Sequence, residues 1–326
     1  MRTPICILTA DNKPLDALIT SRIMNISLTD NRADEADQLN ITLDDHDGAL
    51  ELPKRGVKIN CKLGWRGQNL IDKGDFTVDG IEWGGPADTL TIRASSANFR
   101  SDIKTAKSKS FHGKSLGEIA KSIANAHKLK LNINKDLAKI QIQHVDQTNE
   151  SDLNFIRRLA KQNGAEMTVK KDQLIIFKAG SGLTGSGRNL QTIYITKSMG
   201  DQYRYAEEDR DSDHTGVAAK YQDKGKGKGE KVTAGKDGKV KTLKGTFANK
   251  DEAQRAAEAE KQKIEREKAT FSFNTAYGIP EVSTETPVVM KGFKKQIETL
   301  KWIVAKATHN YSPSGLTTQL ELEANI

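Results

Sequence analysis

The sequence predicts a mainly β protein interrupted by a small α/β module, and three observations carry that reading. Apolar and polar residues alternate at a period of two through residues 1–100; between about Ser101 and Ala179 the apolar spacing becomes helical; after Gly180 the two-residue period returns. A period of two sets one face of a strand on a core and the other in solvent, whereas spacing by three and four makes the apolar stripe of a helix. The chain therefore divides into a β domain over 1–100, an α/β domain over 101–179 and a second β domain over 180–326.

In the first region Met24, Ile26 and Leu28 alternate with polar residues, as do Leu39, Ile41 and Leu43, then Val57, Ile59, Cys61 and Leu63. Phe76, Val78 and Ile81, and Leu90, Ile92 and Ala94, continue the pattern across Gly84-Gly85-Pro86, a hairpin-loop composition. Short strands with turns between them argue for a sandwich or barrel. In the second region Ser115 and Glu118 have the spacing of a capping box, and Leu116, Ile119, Ala120 and Ile123 follow on one helical face. A second helix is expected from about Ser151, with Leu153, Ile156, Leu159 and Ala160 inward and a stop at Asn163-Gly164. Met167 to Phe177 reads as a hairpin turning at Lys171-Asp172.

In the third region strands are expected at Ile193–Ile195, Val217–Tyr221, Thr270–Phe273, Val288–Met290, Trp302–Ala305 and Leu316–Leu322. They are interrupted by a Lys/Gly-rich insertion at about 220–245, read as a solvated mobile loop, and by a helix at about 250–268. That helix offers only Ala253, Ala256, Ala257 and Ile264 as an apolar stripe, which suits a surface position. A weak repeat also stands out. Pro53, a strand, Gly64-Trp65, Phe76-x-Val78 and Leu90–Ala94 follow the same order as Pro287, a strand, Gly292-Phe293, Trp302-x-Val304 and Leu320–Ala324.

Composition narrows the function classes. The 326 residues carry 51 Lys+Arg and 43 Asp+Glu, a net +8. Residues 220–245 hold nine lysines and three acids, so +6 sits there and the other 300 residues carry +2. The basic character belongs to one segment, and its Lys224–Gly229 stretch lacks the interleaved aromatics on which single-strand binders stack bases. No apolar run reaches membrane-helix length and Ile5–Ala10 is too short for a signal-peptide core, so synthesis and assembly in the cytoplasm are expected. Two cysteines, Cys6 and Cys61, make neither a disulfide framework nor a CxxC pair.

Candidate chemical sites fail on context. Gly180-Ser-Gly182-Leu-Thr-Gly185 matches a dinucleotide fingerprint, but β-patterned residues follow where a phosphate-binding helix should open. Gly113-Lys114-Ser115 resembles the end of a phosphate loop without its leading glycine, and Ser115 reads as a helix cap. Asp209-x-Asp211-x-Asp213 begins like a calcium loop, yet His214 and Lys220 stand where glycine and glutamate are needed. Asp44-Asp45-His46-Asp47-Gly48 has the composition of a tight turn. Histidines 46, 112, 127, 144, 214 and 309 show no zinc spacing, and no G-x-S-x-G elbow is present. No catalytic, cofactor-binding or metal-binding residue is therefore assigned and the chain is expected not to be an enzyme.

A resemblance covers nearly the whole chain. Leu28–Asn31, Glu35–Asp45, Gly74–Asp79, Leu90–Ser95, Asp146–Leu159, Ala253–Ala259, Trp302–Val304, His309 and Gly315–Glu323 resemble the late control D family of tail proteins from P2-like contractile phages. Glu150–Leu159 is also similar to the hub portion of type VI secretion spike proteins. The resemblance implies a baseplate hub in the virion: a homotrimer, two tail-tube-like β barrels per chain, and a ring joining a sixfold tail tube to a threefold central spike. Implied partners are the tube and spike proteins, with tape measure and baseplate wedge proteins beside them. Two other classes are weighed against it. One is a DNA-binding regulator acting through 220–245, whose affinity would fall steeply with salt. The other is a peptidoglycan-binding or lytic module in 112–145, because Ser115–Ile123 resembles the first helix of a lysin motif.

Overall fold

A computed structural model describes residues 2–32, 36–96, 101–184, 187–207, 214–223, 228–236 and 238–325. The first region supplies β1 (Pro4–Ala10), β2 (Lys13–Pro14), the short α1 (Ala17–Ser21), β3 (Ile23–Asn31), β4 (Gln38–Asp44), β5 (Lys58–Trp65), β6 (Ile71–Gly84) and β7 (Thr89–Ser95). Their inward residues, among them Ile26, Leu28, Leu39, Ile41, Leu63, Phe76 and Leu90, form one apolar cluster with Cys61. Burying a side chain of this size contributes about 1.5–3 kcal/mol, so the alternation read from the sequence sets which face turns inward.

The α/β region contains β8 (Ala106–Ser115), α2 (Leu116–Ala126), β9 (Lys130–Ile133), α3 (Lys135–Ala138), β10 (Gln141–Ser151), α4 (Asp152–Gln162), β11 (Ala165–Lys170) and β12 (Gln173–Lys178). The capping box forms as expected, with Ser115 Oγ accepting from Glu118 N and Glu118 accepting from Ser115 N. Ser151 caps α4, and Gly164, at φ +68°, follows its end. Lys171 and Asp172 both take positive φ in the β11–β12 turn, the geometry of a two-residue hairpin. Leu116, Ile119, Ile123, Phe155, Ile156 and Leu159 meet in a second core.

The third region supplies β13 (Ile193–Thr196), β14 (Gly200–Glu207), β15 (Gly216–Asp223), β16 (Lys228–Gly235), β17 (Val240–Phe247), α5 (Lys250–Glu267), β18 (Ala269–Thr275), β19 (Pro287–Lys291), α6 (Lys295–Glu298), β20 (Trp302–Ser312) and β21 (Gly315–Ala324). Phe271, Phe273, Trp302, Val304, Leu320 and Leu322 form its core.

The two β regions share a single 13-stranded sheet, running β14-β18-β21-β20-β3-β4-β7-β6-β5-β1-β2, with β13 and β19 attached at β20. Seven strands lie on the β3 side of the β20–β3 pair and six on the β20 side, and apart from β2 their orders correspond: β1-β5-β6-β7-β4-β3 matches β13-β19-β20-β21-β18-β14. Two of the bulges correspond too, although the one between β5 and β6 at Cys61/Lys62 has no counterpart between β19 and β20. Between β6 and β7 the register shifts at Val78/Gly80, and between β20 and β21 at Val304/Lys306. Between β3 and β4 it shifts at Ile23/Asn25, and between β14 and β18 at Gly200/Gln202. One pairing differs, since β1 is antiparallel to β5 while β13 is parallel to β19. Anchored on the bulges, Leu90–Ala94 matches Thr318–Leu322, two residues from the alignment that the sequence motifs suggested. A two-residue slip keeps every side chain on its own face, so periodicity alone could not fix it.

The lysine-rich segment departs from expectation. Strands β15, β16 and β17 form a three-stranded sheet in place of the solvated loop, and α5 packs on it through Ala253 and Ala257 against Val217, Ala219, Tyr221, Val232 and Ala234. The lysines at 220, 228, 231, 239 and 244 stay exposed, while residues 224–227 lie outside the described residues. This unit sits between β14 and β18, where the first half has only the short connection between β3 and β4. Helix α5 bridges it to the α/β region: Arg255 Nε donates to Asn163 Oδ1 at 3.2 Å, and Gln143 N donates to Glu252 Oε1 at 3.1 Å.

Candidate functional site: a buried polar junction and open sheet edges

Where the α/β region meets both halves of the sheet, β3, β6, β11, β20 and the 276–286 loop converge on a group of ionisable side chains. Lys170, at the end of β11, places Nζ 2.6 Å from Asp30 on β3 and 3.0 Å from Asp37 just before β4. Asp30 also accepts from Thr284 Oγ1 at 3.2 Å and Thr284 N at 3.3 Å, and Asp37 accepts from Asn31 N at 3.0 Å. Lys73 Nζ on β6 donates to Val282 O at 3.0 Å. His309 on β20 is fully buried, with Nδ1 2.9 Å from Thr318 Oγ1 and Nε2 3.3 Å from Val282 O.

Burial dominates the electrostatics and neighbouring charges decide its outcome. Desolvation, reinforced by Asp30, pushes the Asp37 carboxyl up to about 6. Desolvation pulls Lys73 down to about 8, and desolvation with the Lys73 charge pulls His309 down to about 3. Burial works against both Asp30 and Lys170, yet their mutual attraction wins, holding the carboxyl below its ordinary range and the ammonium above it. Paired carboxylates with separated pKa values can do acid–base chemistry. Here one ammonium binds both, Thr284 N donates to the second oxygen of Asp30, and Asn31 N shares Asp37 Oδ1 with the ammonium, so the arrangement joins three parts of the chain.

A second junction lies beside it. Arg32 Nε is 2.7 Å from Glu285 Oε1, and the Arg32 guanidinium also pairs with Glu323 on β21. Glu285 accepts from Gly180 N at 2.9 Å, and Asn325 Nδ2 donates to Gly180 O at 2.7 Å. The chain leaving the α/β region is thereby pinned to the second half of the sheet.

The sheet itself ends in open edges. Among the described residues β14 pairs only with β18, and β5 accompanies β6 from Ile71 only to Thr77. Trp83 near the end of β6 is 54% exposed and Tyr203 on β14 is 46% exposed. Unpaired strand edges carrying apolar side chains are templates for another chain.

The motifs singled out in the sequence take ordinary places. Gly180 and Gly182 lie in a loop that leads to β13, with no helix between them, and Gly185 lies outside the described residues. Asp209–Asp213 also lies outside them. In the Asp44–Gly48 turn, Asp47 binds the Arg22 guanidinium at 2.5 and 2.6 Å, and Asp45 accepts from Leu50 N and from Trp83 Nε1. Spacing had not revealed the cross-strand pair His112 and His144, whose Nδ1 atoms are 2.9 Å apart, nor the approach of the Cys6 and Cys61 sulfurs to 4.0 Å. Among the described residues no group of three or more His, Cys, Asp or Glu is placed to hold a metal ion, and no helix is long and apolar enough to cross a membrane.

Residues 74–315 match the model of the phage tail baseplate hub family. Over 364 aligned residues the chain is 38% identical to the probable baseplate hub protein of Escherichia phage 186, covering 99% of this chain and 93% of that one. It is also 38% identical to the corresponding protein of Escherichia phage P2, covering 99% and 94%. The chain belongs to the phage tail baseplate hub family. Solved structures share the hub fold at low identity. A tail protein from Neisseria meningitidis superposes with a TM-score of 0.72 at 12% identity, over 98% of this chain and 96% of that one. An Escherichia coli component of the type VI secretion system superposes with a TM-score of 0.60 at 9% identity, over 97% and 76%. The family resemblance read from the ordered motifs is thus established, and the mainly β class with it. For a baseplate hub, a component of the virion tail, the surfaces that join one chain to its neighbours are the functional ones.

Proposed function

We propose that three copies of this hub close into a ring that adapts a sixfold tail tube to a threefold central spike, contacting the tube protein on one face and the spike protein on the other. The observation that carries this reading is the duplicated half-sheet. Two equivalent units per chain make six around a threefold axis, which is what matching the two symmetries requires. The two halves act as tube-like barrel units, the α/β region as the spacer clamped between them, and the β15–β17/α5 unit as an outer decoration. The role is structural and uses no cofactor. Tape measure and baseplate wedge proteins would complete its surroundings, and the ring would form in the host cytoplasm before joining the tail. Native mass spectrometry of the purified chain is expected to show concentration-dependent trimers. A monomer at every concentration, or absence of the protein from the tube–spike junction in imaged particles, would overturn the reading.

A further inference from the structure

We infer that His112 and His144 form a two-point chelate for a divalent transition metal that favours right-angle coordination, Ni(II) or Cu(II), clipping strand β8 to β10. The site lies in the α/β region and stands apart from the ring proposed above, whose assembly role needs no metal. No spacing rule reveals it, because 32 residues separate the two histidines and only the strand register brings them together.

His144 stands directly opposite His112 in the antiparallel β8–β10 pair. The imidazoles stack with centroids 4.5 Å apart and an interplanar angle of 26°, and their Nδ1 atoms lie 2.9 Å from each other. Metal–imidazole bonds of about 2.0–2.1 Å span about 2.8–3.0 Å between nitrogens at a right angle, and about 3.3–3.4 Å at the tetrahedral angle. The observed separation therefore matches two adjacent corners of a tetragonal shell, the geometry of Cu(II) and Ni(II). Tetrahedral Zn(II) requires the two nitrogens to part by about 0.4 Å.

Hydrogen bonding prepares His144 for this role. Its Nε2 lies 3.1 Å from Asp146 Oδ2, and an ionised carboxylate only accepts, so Nε2 carries the proton and Nδ1 keeps its lone pair. From the facing strand Ser110 Oγ donates to Asp146 Oδ1 at 2.6 Å and fixes the carboxylate in turn. A carboxylate on the far nitrogen of a ligating histidine orients the ring and raises its basicity, which makes Asp146 a positioning residue that touches no metal itself. In the hydrogen-bonded pair His112 Nδ1 donates to His144 Nδ1; on metal binding the His112 proton moves to Nε2, so the neutral imidazole changes tautomer and loses no proton. Both side chains reach solvent, His144 at 43% exposure, and water completes the shell. Strands β8 and β10 form a two-stranded sheet of their own, and β8 buries only Phe111, so a cross-strand metal would reinforce a marginal element.

Equilibrium dialysis of the full chain against Ni(II) and Zn(II) tests the chelate. The chain is expected to bind Ni(II) more tightly than Zn(II), and His112→Gln and His144→Gln are each expected to weaken Ni(II) binding at least about tenfold. His46→Gln, which alters an exposed histidine in the Asp44–Gly48 turn, is expected to change nothing. Asp146→Asn should weaken binding about 10–100-fold and Asp146→Glu should recover most of that loss. Hydrogen exchange localises the effect. With Ni(II) at about ten times its Kd, exchange of the β8 and β10 amides should slow up to about tenfold while that of β11 and β12 stays unchanged, and either histidine variant should abolish the slowing. No binding at about 1 mM Ni(II), binding that survives both histidine substitutions, unprotected β8 and β10 amides, or Zn(II) held as tightly as Ni(II) would each overturn the right-angle chelate.

Discussion

Replacing Lys170 with methionine tests whether the buried junction holds the α/β region to the sheet. The ammonium lies 2.6 and 3.0 Å from two carboxylates, and at an effective dielectric constant of about 20 each attraction amounts to about 6 kcal/mol. Taking three charges out of water costs several kcal/mol per ion, so the intact cluster contributes little net stability. Breaking it is another matter: Lys170→Met keeps the aliphatic stem but leaves Asp30 and Asp37 buried side by side without their cation. The expected loss is about 3–5 kcal/mol. Because a chain with several cores need not unfold in one step, hydrogen exchange of the β11 amides is the measurement, reporting opening of that element directly. Two further results follow from the same electrostatics. Adding Asp30→Asn and Asp37→Asn to Lys170→Met restores part of the loss by removing the uncompensated charge. Without the Lys170 ammonium only the Lys73 charge opposes burial, so both carboxyls titrate higher than in the wild type, and the penalty is largest at neutral pH and relieved as pH falls. A loss under about 1 kcal/mol, or a triple variant no more protected than the single one, would refute the junction's role.

Two other perturbations have defined outcomes. His309, held neutral down to about pH 3, has a folded pKa below its unfolded value, so its contribution is complete above about 6.5 and is lost as pH falls toward 3. Asp37, raised to about 6, has the opposite sign: its contribution is complete below about 3.9 and is lost as pH rises to 6. Thermal midpoints between pH 4 and 6 should therefore separate His309→Gln from wild type with a slope opposite to that of Asp37→Asn, up to about 1.4 kcal/mol per pH unit each; slopes of one sign would contradict the assignment. A Cβ at Gly200 would lie 1.9 Å from Asn274 O and 2.7 Å from the Phe273 ring, so Gly200→Ala must displace the start of β14. In the proposed trimer it is expected to weaken association at least about tenfold, about 1.4 kcal/mol, in native mass spectra, while Gly315→Ala, which meets nothing within 4 Å, leaves association unchanged.

The elements that were legible in the sequence are those with one buried face. Met167–Phe177, the capped helices and strands such as Leu39–Leu43 show an apolar period because each turns a single face to a core. Strands β8 and β10 gave no such signal: of the ten residues of β8 only Phe111 is buried, so its paired strand carries polar side chains on both faces. Strands β16 and β17 were obscured in the same way, since each offers few apolar residues to a small core while its lysines remain in solvent. The junction was illegible for a different reason. Asp30, Asp37, Lys73, Lys170 and His309 are scattered over nearly the whole chain, and no spacing rule connects residues that only the β20–β3 pairing brings together.

That junction also distinguishes the β20–β3 pair from the open edges of the sheet. In that pair Asp30 is bound to Lys170 and Thr284, and His309 to Thr318, so β20–β3 cannot part without exposing buried charges. At the open edges, counted from the bulges, the equivalent of Asp30 is Glu207, whose carboxylate accepts from Tyr205 Oη at 2.8 Å within its own strand, and the equivalent of His309 is the aromatic Trp83. The β20–β3 pair is thereby fixed when the chain folds. The distinction matters because strands of equivalent shape could otherwise exchange, with β20 of one chain taking β14 of the next and opening a ring into a chain of swapped subunits. If the polar junction prevents this, Lys170→Met should broaden the oligomers from closed trimers to larger species in native mass spectra, and the triple variant with Asp30→Asn and Asp37→Asn should not restore closure fully, because it recovers stability without recovering the charge that marks β3 as the partner of β20. A triple variant that formed only trimers would show that strand complementarity alone selects the partner.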